Sequence, residues 1–179
     1  MQDSINGISN WAKEWKMSLN KSKTEAMVIS SSNKDTKWKP NLRLEGETVK
    51  IVPEYKFLGV TVDSGLRFTT HVNRIVAKGK RRNNILKCLA GKDWGQNLET
   101  QRALYLTYIR SALEYASPSW FPWLPQTTRA RLEVVQNDSL RTMTRLCKTC
   151  PVDFLRLETG IEPLDERLDK NSMITWERF

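Results

Sequence analysis

An α+β fold with helix in the majority is predicted by a change of pattern within the 179 residues and by a composition able to support a core. Up to about residue 65, short apolar runs alternate with turn-forming residues, the period-two signature of strands. From Thr69 onward, apolar residues recur at the helical period. Hydrophobic residues make up 39% of the chain, enough for one ordinary core or two small ones. The expected architecture is a small antiparallel β hairpin or sheet with one helix over 1–65, then a helical bundle over 66–179.

Ile5, Ile8, Trp11, Ala12 and Trp15 share a helical face, with Asp3 or Ser4 able to cap it, so a first helix is predicted over about 4–17. Thr24–Ser30 alternates in part and predicts a strand, closed by a loop at Ser31-Ser32-Asn33. Leu42-Arg43-Leu44 and Thr48–Ile51 flank Glu45-Gly46-Glu47 and predict a hairpin. Tyr55–Val62 gives the strongest strand signal, ended by Asp63-Ser64-Gly65. Val72, Ile75, Val76, Gly79, Leu86 and Ala90 then fall on one face of a helix ending near Gly91. A helix over about 98–116 carries Leu104, Tyr105, Tyr108, Ile109, Ala112 and Leu113 across an arc wide enough to require burial. Pro118, Pro122 and Pro125 predict an aromatic loop around Trp120, Phe121 and Trp123. A helix over about 128–147 and two shorter ones opened by Pro151 and Pro163 complete the chain.

The net charge is +9, and it is unevenly placed. Segments 1–68, 69–125 and 126–150 carry +3, +6 and +3, whereas 151–179 carries −3. The basic excess is central, and nucleic acid is the first candidate for an anionic partner. No run approaches the roughly eighteen apolar residues of a membrane span, and the N-terminus lacks a leader pattern; the chain reads as intracellular and soluble, with no membrane partner. Three cysteines are too few for a secreted disulfide framework. Cys147-Lys148-Thr149-Cys150 has the spacing of half a zinc site, but only Cys88 and His71 remain to complete it, which favours a helix end that carries two thiols.

Five ordered segments together resemble the region downstream of the catalytic centre in jockey-like non-LTR retrotransposon reverse transcriptases. They are WAKEWKMSLNKSKTE from Trp11, YKFLGVTVDSGLRFTTHV from Tyr55, LYLTYIRSALEYASPSW from Leu104, RLEVVQNDSLR from Arg131 and LRLETGIEPLDERL from Leu155. The resemblance implies the end of a palm and a primer-grip strand over 1–65, then a thumb and C-terminal extension over 66–179. It implies a motif D general acid at Lys23, with Lys21 as a neighbouring competitor, since a mobile cation near departing phosphates can donate a proton. It places the primer grip at Phe57, Leu58 and Gly59, where a residue without Cβ lets backbone approach the primer closely. The alternative for these three is a core strand with Phe57 and Leu58 on opposite faces.

Polymerases of this kind place paired aspartates on two metal ions, but the sequence contains no Asp-Asp pair. Asp165, Glu166 and Asp169 form the densest acidic cluster and read as a solvated helix face. The expectation is therefore no cofactor held by this chain, with Mg²⁺ belonging to the parent polymerase, and Met1 as the start of a truncated reading frame. The expected partners are a primer-template duplex and the upstream palm and fingers. Arg74, Lys78 and Arg81 lie opposite the apolar face of the 69–90 helix, with Lys80 and Lys87 on its flank, and are the candidate phosphate contacts. Two other functions compete with a gripping fragment: an independent basic RNA- or DNA-binding module derived from such an element, and a relic without function.

Overall fold

The computed structural model describes residues 1–32, 38–91 and 95–178, so the Asn33 end of the predicted loop lies outside the described residues. The chain forms two compact units, Met1–Arg67 and Phe68–Phe179. Among the described residues the architecture is mostly helical, with three small two-stranded sheets.

In the first unit, helix α1 spans Gln2–Glu14. The Gln2 side chain behaves as a surrogate strand neighbour: its amide donates to the Arg43 carbonyl at 2.8 Å and its oxygen accepts from the Arg43 N–H at 2.9 Å. That pins α1 to strand β2 (Arg43–Leu44), which pairs antiparallel with β3 (Glu47–Thr48). The turn between them, Glu45-Gly46, has φ of 48° and 85°, the type I′ geometry whose twist suits a tight hairpin. Leu42, Leu44 and Val49 form a small core, joined by Ile5, Leu19, Ala26 and Ile51.

Two predicted strands are corrected. The 24–30 strand contracts to β1, Glu25–Ala26, and pairs in parallel with β4, Lys50–Ile51, so the strands are not all antiparallel. The 55–62 strand is a hairpin: β5 (Glu54–Phe57) pairs antiparallel with β6 (Val60–Asp63), and Leu58-Gly59 is the turn. Its φ values of 45° and 90° again give type I′. Apolar alternation concealed the break because the residue ahead of the turn glycine is leucine, which costs strain in the left-handed region but continues the hydrophobic pattern.

The second unit opens with α2, Thr69–Leu89, which buries His71, Val72, Ile75, Val76, Gly79, Asn83 and Leu86. One continuous helical rod follows, made of α3 (Leu98–Leu104), a π-helical stretch (Tyr105–Arg110) and α4 (Ser111–Glu114). The expected aromatic loop is instead helical, with α5 at Ser117–Trp120 and a 3₁₀ turn at Phe121–Trp123. Pro118 and Pro122 occupy first-turn positions, where a missing N–H costs nothing. Trp120 and Phe121 are fully buried while Trp123 is exposed. Helices α6 (Gln126–Thr144), α7 (Val152–Thr159) and α8 (Leu164–Trp176) complete the unit.

Close approach of α2 and α6 depends on Gly79. A Cβ there would stand 2.8 Å from a Val135 methyl and 3.1 Å from a Leu113 methyl, both below ordinary contact. A buried polar relay crosses the same bundle: the Tyr105 hydroxyl donates to Gln136 Oε1 at 2.6 Å, and Gln136 Nε2 donates to the Glu162 carbonyl at 2.9 Å. Burial pushes the Tyr105 hydroxyl pKa up, so it remains a donor. Glu133 caps α8 from α6, its carboxylate accepting from the Leu164 N–H at 2.9 Å and pairing with Arg156 at 2.7 Å.

The acidic cluster is not a purely solvated face. Asp165 and Asp169 pair with Arg129 of α6 at 3.6 and 3.3 Å, and that guanidinium also lies 4.4 Å from the centroid of the Phe121 ring. Arg167 pairs with Glu114 and Glu162, and Lys170 with Glu162 at 2.8 Å; these hydrogen bonds hold the Glu162 carboxyl below its ordinary pKa. The acidic C-terminal helix is thus docked on the basic chain that precedes it.

Candidate nucleic-acid interface

Helix α2 carries Arg74, Lys78, Lys80, Arg81, Arg82 and Lys87 and contains no acidic residue over its 21 positions. Solvated helix faces usually intersperse both signs, because i,i+4 pairs stabilise them and like charges repel. Lys78, Lys80, Arg81 and Lys87 form no ion pair among the described residues, and all four are exposed, as is Arg74. Four other arginines of this unit are engaged in ion pairs: Arg110 with Glu114, Arg129 with Asp165 and Asp169, Arg156 with Glu133 and Asp153, Arg167 with Glu114 and Glu162.

The five cations nominated from sequence do not share one surface. At about 100° per residue, Arg74, Lys78 and Arg81 lie together opposite the buried stripe, whereas Lys80 and Lys87 emerge roughly 100–180° away around the helix. The outer ridge continues instead through Arg82 and Ile85, i+4 and i+7 from Lys78, which the sequence reading passed over. Spacing alone could have added these two.

No local signal could have added Tyr108. It comes from the π-helical stretch, where Tyr105 and Ile109 are fully buried and Tyr108 between them keeps 37% of its surface exposed. The Arg82 guanidinium lies over its ring, 4.3 Å from the centroid, and donates to its backbone carbonyl. Lys78, Arg81, Arg82, Ile85 and Tyr108 together line an open groove of about 390 Å³.

In the first unit, Phe57, Leu58 and Gly59 form the tip of the β5–β6 hairpin. Phe57 and Leu58 are 61% and 75% exposed, so the core-strand reading of this pair is set aside. What the tip offers is turn backbone flanked by two apolar side chains. The two lysines of the preceding segment are distinguished by their partners. Lys21 pairs with Glu47 at 3.1 Å and Glu45 at 3.6 Å, and the Glu47 hydrogen bond raises its pKa. Lys23 is exposed and forms no ion pair among the described residues; its backbone N–H donates to the capping Asn20 side chain at 3.1 Å. Of the two, only Lys21 has its ammonium in an ion pair among the described residues.

Cys147 and Cys150 sit in the turn just past α6, where the Cys150 N–H donates to the Cys147 carbonyl at 3.1 Å. The Thr149 hydroxyl, 3.0 Å from the Cys147 sulfur, pulls that thiol pKa down. Among the described residues no group of three or more His, Cys, Asp or Glu side chains converges. No helix among the described residues is long and apolar enough to cross a membrane.

Comparison with known proteins gives a consistent set of relatives. The chain is 26% identical over 162 residues to a 115 kDa protein of the type-1 retrotransposable element R1DM of Drosophila melanogaster, covering 88% of this chain and 15% of that protein. It is 24% identical over 176 residues to the RNA-directed DNA polymerase ascribed to transposon BS of the same species, covering 96% of this chain and 19% of the relative. It is 23% identical over 116 residues to the RNA-directed DNA polymerase from mobile element jockey of Drosophila funebris, covering 65% and 12%. The chain therefore spans less than a fifth of the length of each of these relatives. No family model matches, and no solved structure does.

Proposed function

We propose that this chain, similar over most of its length to a segment of jockey- and R1-type retrotransposon proteins, serves as the duplex-gripping part of an RNA-directed DNA polymerase whose catalytic carboxylates lie elsewhere in the protein. The observation that carries this reading is α2, a long helix with six cations, no acid and an exposed ridge at Arg74, Lys78 and Arg81. Phosphates spaced along a duplex suit such a ridge, and contacts to backbone alone carry no sequence information. In the same reading the exposed hairpin tip at Phe57–Gly59 presents backbone to the primer, and Lys23 supplies a proton to departing pyrophosphate when the metal-bearing part of the polymerase is present. The self-contained core of the helical unit favours one other reading, an independent basic RNA- or DNA-binding module.

Titration of a blunt RNA–DNA duplex against the purified chain tests the grip. With about three to five phosphates neutralised, log K should fall against log salt with a slope of roughly −3 to −4.5. A flat salt response removes electrostatic gripping from the account. The chain by itself is expected to incorporate no nucleotide on a primed RNA template with magnesium or manganese, for want of paired carboxylates. Incorporation above that of a mock preparation would show that the chain holds catalytic metal ligands of its own.

A further inference from the structure

The groove beside the α2 ridge has a chemistry that duplex phosphates do not need. Its walls combine three cations, Lys78, Arg81 and Arg82, with an aliphatic side chain, Ile85, and an aromatic one, Tyr108. A phosphate contact requires only the cations; an exposed aromatic ring backed by a guanidinium plane, next to an exposed isoleucine, provides a flat apolar surface. Unpaired nucleobases stack on aromatic rings and on arginine planes, whereas paired bases present their faces only to one another.

The groove is also held in shape. Tyr108 holds the Arg82 guanidinium twice, beneath it through the ring and by a hydrogen bond to the Tyr108 carbonyl. Tyr108 in turn belongs to a π-helical stretch whose neighbours Tyr105 and Ile109 are anchored in the core. Wider π turns are uncommon and recur at functional sites, where they redirect side chains. The volume of about 390 Å³ is large enough for one nucleobase with its sugar, and Lys78 and Arg81 line the same groove.

We propose that this groove binds an unpaired nucleotide of a strand continuing from the gripped duplex, the base stacking on the Tyr108–Arg82 pair against Ile85 and its phosphates meeting Lys78 and Arg81. The proposal rests on the duplex-gripping reading and adds a single-strand site to it.

Two probes test it: a blunt RNA–DNA duplex, and the same duplex with a four-nucleotide single-stranded overhang containing 2-aminopurine. Wild-type protein should bind the overhang probe about five- to tenfold or more tightly than the blunt one, in line with the gain from stacking one base, and should quench the 2-aminopurine. Tyr108→Leu should abolish both the preference and the quench while leaving blunt-duplex affinity within about twofold; Tyr108→Phe should restore both. Ile85→Glu, an exposed substitution that places an anion in the groove, should also remove the preference. Circular dichroism establishes that each variant is folded. If wild type shows neither preference nor quench, or if Tyr108→Leu and Ile85→Glu leave them intact, the single-strand site is overturned while the duplex grip stands. Failure to bind either probe overturns both readings.

Discussion

Converting Arg74, Lys78 and Arg81 together to glutamine is expected to weaken blunt-duplex binding by an order of magnitude or more near physiological salt. It should also shallow the log K against log salt slope by up to about three units, one for each lost phosphate contact. The three side chains are exposed on one ridge and the helix buries its opposite side, so the substitutions change charge without touching the core. Glutamine keeps helix propensity close to that of lysine and arginine. A fair control removes the same charge from the same unit. Arg131, Lys148 and Arg178 are exposed and lie outside α2, whereas Arg129 is unsuitable because it anchors α8 through Asp165 and Asp169. If the control loses as much affinity as the ridge variant, the basic excess acts diffusely and α2 has no special role.

Gly79→Val is expected to cost about 1–3 kcal/mol by overpacking, only partly offset by leaving glycine's poor helix propensity behind. The added Cβ alone would meet Val135 and Leu113 at 2.8 and 3.1 Å, and two further methyl groups must then find room between α2 and α6. A fall in melting temperature of roughly 5–10 °C should follow for a unit of this size. Gly79→Ala should lie close to wild type, since about 1 kcal/mol of helix propensity opposes a milder clash. Combining Gly79→Val with Val135→Ala should recover part of the loss, because the two positions share one contact. A valine variant that melts with wild type, followed by circular dichroism, would show that the two helices are packed more loosely than the distances require.

The helical part was readable from sequence because each long helix has one buried stripe, and residues such as Val72, Ile75, Leu132 and Val135 recur at its period. The strands were harder. Leu58 continues an apolar alternation across a turn, so pattern and backbone disagree there, and only the positive φ of Leu58 and Gly59 reveals the hairpin. The proline-rich stretch failed for a related reason: Pro118 and Pro122 look like breakers, yet each sits in a first turn that tolerates it. In the candidate interface, the α2 ridge follows from spacing, while Tyr108 reaches it from a rod that begins nine residues after α2 ends. Ion pairing was equally invisible, and it separates engaged cations such as Lys21 and Arg129 from exposed ones such as Lys23 and Lys78.

Helix α6 packs against both α2 and α8; Asp165 and Asp169 of α8 are occupied by Arg129, and Glu162 just before α8 by Arg167 and Lys170. Around α8 opposite charges thus pair off, whereas Lys78, Lys80, Arg81 and Lys87 of α2 form no ion pair among the described residues. An off-centre charge feels a torque in the field of a polyanion as well as an attraction. A diffusing nucleic acid would turn this unit ridge-first before contact, so that a larger share of encounters begins in the binding orientation. Added salt shortens the range over which that turning acts to about 8 Å at physiological ionic strength. On the proposed grip, the docked acidic helix would aid recognition without touching the ligand, by keeping the positive pole of the unit in one place.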